Sequence, residues 1–166
     1  MNFMKAREQT GMRELLLGLL VIFPLAVVAQ DKEHPLPYPA DLAQAAREAG
    51  AEKRAFLFLF SIDGCPYCEV VRRHHLLPLS RSSSSPIIRE IKIGDARTFV
   101  DFDGQKITHA DFSKRYNARW APTVILVDQK GRKLTDPLVG GDTSGLYGGM
   151  LEKAIHEANV QISRLR

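Results

Sequence analysis

The apolar run Ala55-Phe-Leu-Phe-Leu-Phe60 breaks directly into Ser61-Ile-Asp-Gly-Cys65-Pro-Tyr-Cys68-Glu69, and no other segment constrains the fold of this 166-residue chain as tightly. Six apolar residues, three of them phenylalanine, are too few for a typical buried helix. Residues 55–60 therefore predict a central strand covered on both faces. Beyond the cysteines, residues 69–79 set Val70, Val71, Leu76 and Leu77 among arginines and histidines, the pattern of an amphipathic helix. The two thiols, the only ones in the chain, thus fall at a strand-to-helix junction.

The flanking segments extend this pattern. Asp41 can cap a helix over 42–49 that puts Leu42, Ala45, Ala46 and Ala49 on one face, with Gly50 as its stop. After the serine-rich loop 81–86 comes a second strand, 87–93, with Ile87, Ile91 and Ile93 alternating. Asp103-Gly104 marks a hairpin within 99–107, and Thr108-x-x-Asp111 a capping box for a helix ending near Asn117. Thr123-Val-Ile-Leu-Val127 reads as another buried strand, and Asp128-Gln-Lys-Gly131 turns it into an antiparallel partner at 132–134. A last helix over 144–159 would turn Leu146, Met150, Ala154, Ile155 and Ala158 inward. A strand that feeds a helix and returns to a parallel strand predicts an α/β fold, a mixed central β-sheet with helices on both faces.

Residues 1–29 have the layout of an export signal. A basic segment precedes the apolar run 15–28, and Val27-Val28-Ala29 suits cleavage before Gln30. The alternative is an uncleaved anchor. Fourteen helical residues rise only ~21 Å, less than a hydrocarbon core of about 30 Å, and Pro24 interrupts them. Either way the folded part is exported, to a periplasmic compartment where disulfides persist. Residues 30–40 hold three prolines and read as a linker, leaving 41–166 as one domain. The net charge is +4, one unit of which belongs to residues 1–29. The remainder is too weak and too dispersed for nucleic-acid binding.

Three chemistries suit a Cys-x-x-Cys pair. As a structural staple it closes too small a loop to restrict the unfolded chain much. As a metal site, for copper or zinc, it needs further ligands. His74 and His75 are the candidates, and neighbouring helical residues point about 100° apart, so at most one can face the cysteines. As a dithiol–disulfide couple it needs only a stabilised thiolate, and a helix N-terminus supplies one through its unpaired N–H groups and dipole. The redox reading leads and the metal-binding chaperone stays its alternative. On the redox reading Cys65, at the helix start, attacks; Cys68, one turn in and more covered, resolves the mixed disulfide. Pro66 suits the first helical turn, where its missing N–H costs nothing. No cofactor or bound metal is required.

With the strand 55–60, Cys65-Pro66-Tyr67-Cys68 and the stretch Tyr116-Asn-Ala-Arg-Trp-Ala-Pro-Thr-Val-Ile-Leu-Val-Asp-Gln-Lys-Gly131, the chain resembles the thioredoxin superfamily over roughly 42–159. The resemblance implies the thioredoxin fold and a cis bond between Ala121 and Pro122, whose backbone pairs with an extended substrate. It also implies that Gly140 or Gly141 lets substrate approach and that Tyr67, between the cysteines, tunes potential or touches partners. Residues 99–108 and Leu146-Tyr-Gly-Gly-Met-Leu151 are similar to exported thioredoxin-like proteins associated with sulfur oxidation. The chain departs from the superfamily at Leu59, where cytosolic members bury an acid, and at Gly64, where a tryptophan is usual.

These readings lead to an exported thiol–disulfide oxidoreductase, a reductase of protein disulfides, with a disulfide oxidase as the other direction. An exported reductase implies a membrane electron donor; a monomer is expected. Around the pair, Asp63 reads as part of an Asp-Gly turn, with acceptance of the Cys65 proton as its alternative, and Arg72 as a solvated charge, with support of a thiolate as its alternative. Trp120 is balanced between lining a substrate groove and packing.

Overall fold

The structure, a computed structural model, describes residues 36–165. The expected signal at 1–29 and residues 30–35 of the expected linker lie outside the described residues. The last part of that linker lies on the fold. Leu36 is buried in the core, and the carbonyls of Pro37 and Ala40 accept from the N–H groups of Glu90 and Val100.

The elements run α1 (Leu42–Glu52), β1 (Phe56–Ser61), α2 (Pro66–Val70), a π-helical stretch (Val71–Leu76), α3 (Leu77–Ser80), β2 (Ile87–Lys92), β3 (Thr98–Val100), β4 (Lys106–Thr108), α4 (His109–Arg115), β5 (Thr123–Val127), β6 (Leu138–Val139) and α5 (Tyr147–Arg164). The sheet order is β2-β1-β5-β6; β1 pairs parallel with β2 and antiparallel with β5, and β5 antiparallel with β6. β3 and β4 form a separate hairpin.

The alternation in β1 divides the core. Phe56, Phe58 and Phe60 face α1 and α4, meeting Leu42, Ala49, Phe112 and Tyr116. Leu57 and Leu59 face the opposite layer with Val71, Leu76, Leu151 and Ala158. Every β1 side chain is buried, as a strand between two helical layers requires. Aromatic edges lock the first layer: the Phe58 and Phe112 rings meet at 5.1 Å and 73°.

Local signals place several boundaries. Asp41 Oδ1 accepts from Gln44 N–H at 2.7 Å, and Thr108 Oγ1 accepts from Asp111 N–H at 3.0 Å. The helical run after Cys65 is continuous to Ser80. It widens over Val71–Leu76, where Leu77 N–H reaches Arg72 O, just before Pro78, which has no N–H and would crowd an α-helical carbonyl.

Four expectations are corrected. Gly50 does not stop α1: the helix continues to Glu52, and left-handed Lys53 closes it on the carbonyls of Ala49 and Gly50. Residues 132–134 do turn back antiparallel on β5, with Leu134 N–H donating to Leu126 O at 2.9 Å, but they form no strand; the strand on that edge is β6. Asp128 folds that turn tightly by accepting from the N–H groups of Lys130 and Arg132, and there the chain makes only an isolated bridge, Lys133 to Val127. α5 starts at Tyr147 rather than Ser144. Ala154 and Ala158 face the core and Ile155 packs half-buried against it as expected, but Tyr147, Leu151 and Ile162, which continue their three- and four-residue spacing, complete the inner face, and Leu146 and Met150 are exposed. Among the described residues no helix is long and apolar enough to cross a membrane.

Candidate active site

The pairing of β1 with β5 sets Phe60 against Thr123, so the strand that ends before the cysteines lies beside the strand that begins after Pro122. Thr123 also pairs with Val139 of β6, and Gly140 N–H donates to Pro122 O at 2.8 Å. Three loops, 62–65, 120–122 and 140–142, therefore meet at one end of the sheet.

Cys65 is the N-cap of the helical run, with extended backbone, and Pro66 fills the first helical position. Its Sγ accepts the Cys68 N–H at 3.1 Å, so the sulfur holds the place a capping oxygen usually takes. The same geometry would stabilise a thiolate there. Cys65 and Cys68 are joined as a disulfide, with Cα atoms 5.3 Å apart. Cys65 is half-buried and Cys68 is 0% exposed. Tyr67 between them is 55% exposed.

The Ala121–Pro122 peptide is cis. Ala121 is half-buried and Pro122 buried, while Trp120, just before them, is 73% exposed and lines a groove of about 220 Å³ with Thr123, Pro137 and Val139. Trp120 is thus not packed in the core. Gly140 adopts φ +97°, a conformation that favours glycine. Gly141 is closer to the pair: a Cβ there would lie 2.8 Å from Tyr67 Cβ.

His75 does not turn to the cysteines. Its Nε2 lies 3.2 Å from Asp142 Oδ2 and its ring packs on Tyr147 at 4.9 Å. His74 is exposed. Among the described residues no group of three His, Cys, Asp or Glu side chains is placed to hold a metal, and a copper or zinc site is not favoured.

Sequence reasoning missed Glu90, which is 1% exposed in β2. Burial alone would push its carboxyl up. Hydrogen bonds from Arg72 and Ser61, with the charges of Arg72 and Lys92, outweigh burial and hold it below the ordinary value. Arg72 is correspondingly no solvated charge: its hydrogen bond to Glu90 is the main cause raising its pKa. A charged residue within an isoleucine-rich strand, Ile87-Ile-Arg-Glu-Ile-Lys92, was the available signal. Asp63 accepts from Lys92 Nζ at 3.0 Å while almost fully exposed.

The sequence model of the thioredoxin-like domain family matches residues 42–154. No curated protein matches the chain. Among solved structures, a thioredoxin-fold protein from Helicobacter pylori is 17% identical, with 69% of this chain and 88% of that one covered and a TM-score of 0.48. A poplar thioredoxin h is 20% identical, over 66% and 85%, at 0.45. The periplasmic thioredoxin SoxS from Paracoccus pantotrophus is 17% identical, over 63% and 99%, at 0.41.

Proposed function

The chain belongs to the thioredoxin-like domain family, and from that premise we propose that it is an exported reductase of protein disulfides, cycling Cys65 and Cys68 between dithiol and disulfide. The fold and the Cys-x-x-Cys pair support thiol–disulfide oxidoreductase activity in general. One observation carries the division of roles: Cys65 Sγ caps the helix and accepts the Cys68 N–H, while Cys68 is wholly covered.

In the reduced protein the Cys65 thiolate attacks one sulfur of a substrate disulfide, forming a mixed disulfide and releasing the other sulfur as a thiolate. The Cys68 thiolate then attacks Cys65 Sγ. That forms the Cys65–Cys68 bond and releases the second substrate thiolate, so two electrons pass to the substrate, whose two sulfurs each take up a proton. The backbone beside cis-Pro122, Ala121, Gly140 and exposed Tyr67 frame the place where an extended substrate would lie.

Export rests on the layout of residues 1–29. Given export, the disulfide must be re-reduced by a donor dithiol presented at the membrane. The protein acts as a monomer on this reading, and the likeness of the hairpin 99–108 and of Leu146–Leu151 supports the sulfur-oxidation-associated type.

The test is reduction of insulin with a chemical reductant. Cys65→Ser should abolish it, and Cys68→Ser should accumulate the mixed disulfide. A reduction potential near that of cytosolic thioredoxin, about −270 mV, supports the reductase direction, and one near about −120 mV overturns it. The mature N-terminus of periplasmic material, read by mass, should be Gln30.

A further inference from the structure

Both flanks of the cysteine pair are tied to one buried carboxylate. Glu90 sits in β2 in register with Leu59 of β1. Arg72 grips it with two prongs, Nε to Oε2 at 3.0 Å and Nη2 to Oε1 at 2.7 Å. The Ser61 hydroxyl donates to Oε1, and Lys92 Nζ stands 3.3 Å from the same oxygen. Lys92 also reaches Asp63. Ser61 and Asp63 precede Cys65 by four and two residues; Arg72 follows Cys68 by four, one turn along the same helical run. Helical side chains lean toward the helix N-terminus. Arg72 does so, since its Nη1 also contacts Glu69, the residue after Cys68.

This layer is otherwise apolar, with Leu57, Leu59, Val71 and Leu76 in it. Replacing a buried ion pair with packed apolar side chains is often neutral or stabilising. Stability alone therefore does not explain a fully covered carboxylate with two cationic partners at this place.

We propose that Glu90 is a positioning residue for the redox pair: with Arg72 and Lys92 it sets the charge balance at the start of the cysteine-bearing helix, and so the acidity of the Cys65 thiol and the potential of the couple. The proposal rests on the dithiol–disulfide reading above. The sign follows from the charges. Without the Glu90 charge the cluster of Arg72, Lys92, Glu69 and Asp63 is one unit less negative, the Cys65 thiolate is favoured, and the couple becomes more oxidising because its reduced form is stabilised. Without the Arg72 charge, Glu90, still held by Ser61 and Lys92, disfavours the thiolate and the couple becomes more reducing.

The test compares Glu90→Gln, Arg72→Gln and the double variant in the full chain, each checked for folding by circular dichroism. Two quantities are read: the Cys65 thiol pKa, from the pH dependence of iodoacetamide alkylation, and the equilibrium with glutathione. Glu90→Gln should lower the pKa and shift the equilibrium roughly tenfold toward the dithiol, ~30 mV for this two-electron couple. Arg72→Gln should do the opposite, and the double variant should return close to the parent. Shifts of the same sign, or no shift in folded variants, overturn the proposal; a purely structural role would not reverse sign between the two. Should Glu90→Gln fail to fold, Lys92→Gln carries the test: it must move as Arg72→Gln does, and any other result overturns the proposal. Failure of the parent protein to exchange with insulin would overturn the functional reading instead, while the thiol pKa values still decide the role of Glu90.

Discussion

Gly141 lies so close to Tyr67 that a Cβ on the glycine would stand 2.8 Å from the tyrosine Cβ and 3.1 Å from its Cδ1. The loop after β6 thus bears on the residue between the two cysteines. Asp142 holds that loop in place, taking His75 on one oxygen and the Gly145 N–H on the other at 2.7 Å.

Gly141→Ala should therefore displace Tyr67 or the loop, since the nearest atom is a Cβ near the backbone and not a free side-chain end. We expect a loss of about 1–3 kcal/mol in stability, the usual cost of overpacking, and a several-fold slower reduction of insulin. Urea unfolding and the insulin assay check the two effects. A variant with unchanged rate and stability would show that the contact imposes nothing.

The difference in cover between the cysteines predicts selective alkylation. In the reduced, folded protein iodoacetamide should modify Cys65, and Cys68, at 0% exposure, should react only after unfolding. Peptide mass mapping before and after denaturant reads this directly, and equal labelling of both thiols in the folded state would refute it.

The aromatic layer under β1 should dominate stability. Phe58 meets Phe112, Tyr116 and Phe102, so Phe58→Ala should cost about 3–5 kcal/mol. Tyr116→Phe removes one hydrogen bond, Tyr116 Oη to Gly131 O at 2.6 Å, and should cost about 1 kcal/mol. Urea titrations of the two variants should keep that order.

His109 predicts an acid-sensitive stability. Its ring is buried edge-on between Tyr38 and Phe99, and Nδ1 accepts the Lys92 N–H at 3.1 Å, so the neutral ring carries its proton on Nε2. Burial is the main cause holding its pKa below the ordinary value. The unfolded chain, titrating near ~6.5, then takes the proton first as pH falls. This contribution is fully present above ~6.5 and is lost progressively below it. His109→Asn, which keeps an acceptor for Lys92, should flatten the slope of unfolding free energy between pH 7 and pH 5.5; equal slopes would contradict the assignment.

Interactions within a few residues along the chain were legible from the sequence. Asp41 and Thr108 capping their helices, β1 as an apolar strand covered on both faces and the placement of Cys65 at a helix start all follow from patterns and caps that neighbouring residues determine among themselves. The resemblance carried the cis bond at Ala121–Pro122 one step further, as a property of the family rather than of the pattern.

What the tertiary structure decided lies across the sheet and between loops. That Glu90 is buried with Arg72, that the strand on the edge of β5 is Leu138–Val139 and not 132–134, and that Gly141 rather than Gly140 presses on Tyr67 all depend on which segments cross. A polar residue in an alternating strand announces only its face, since whether a cation covers it is set by a helix eighteen residues away in sequence. The sequence by itself determined two thiols at the head of a helix in an α/β domain. Only the fold decided which charges and which loop surround them, because those contacts exist only once distant segments have packed.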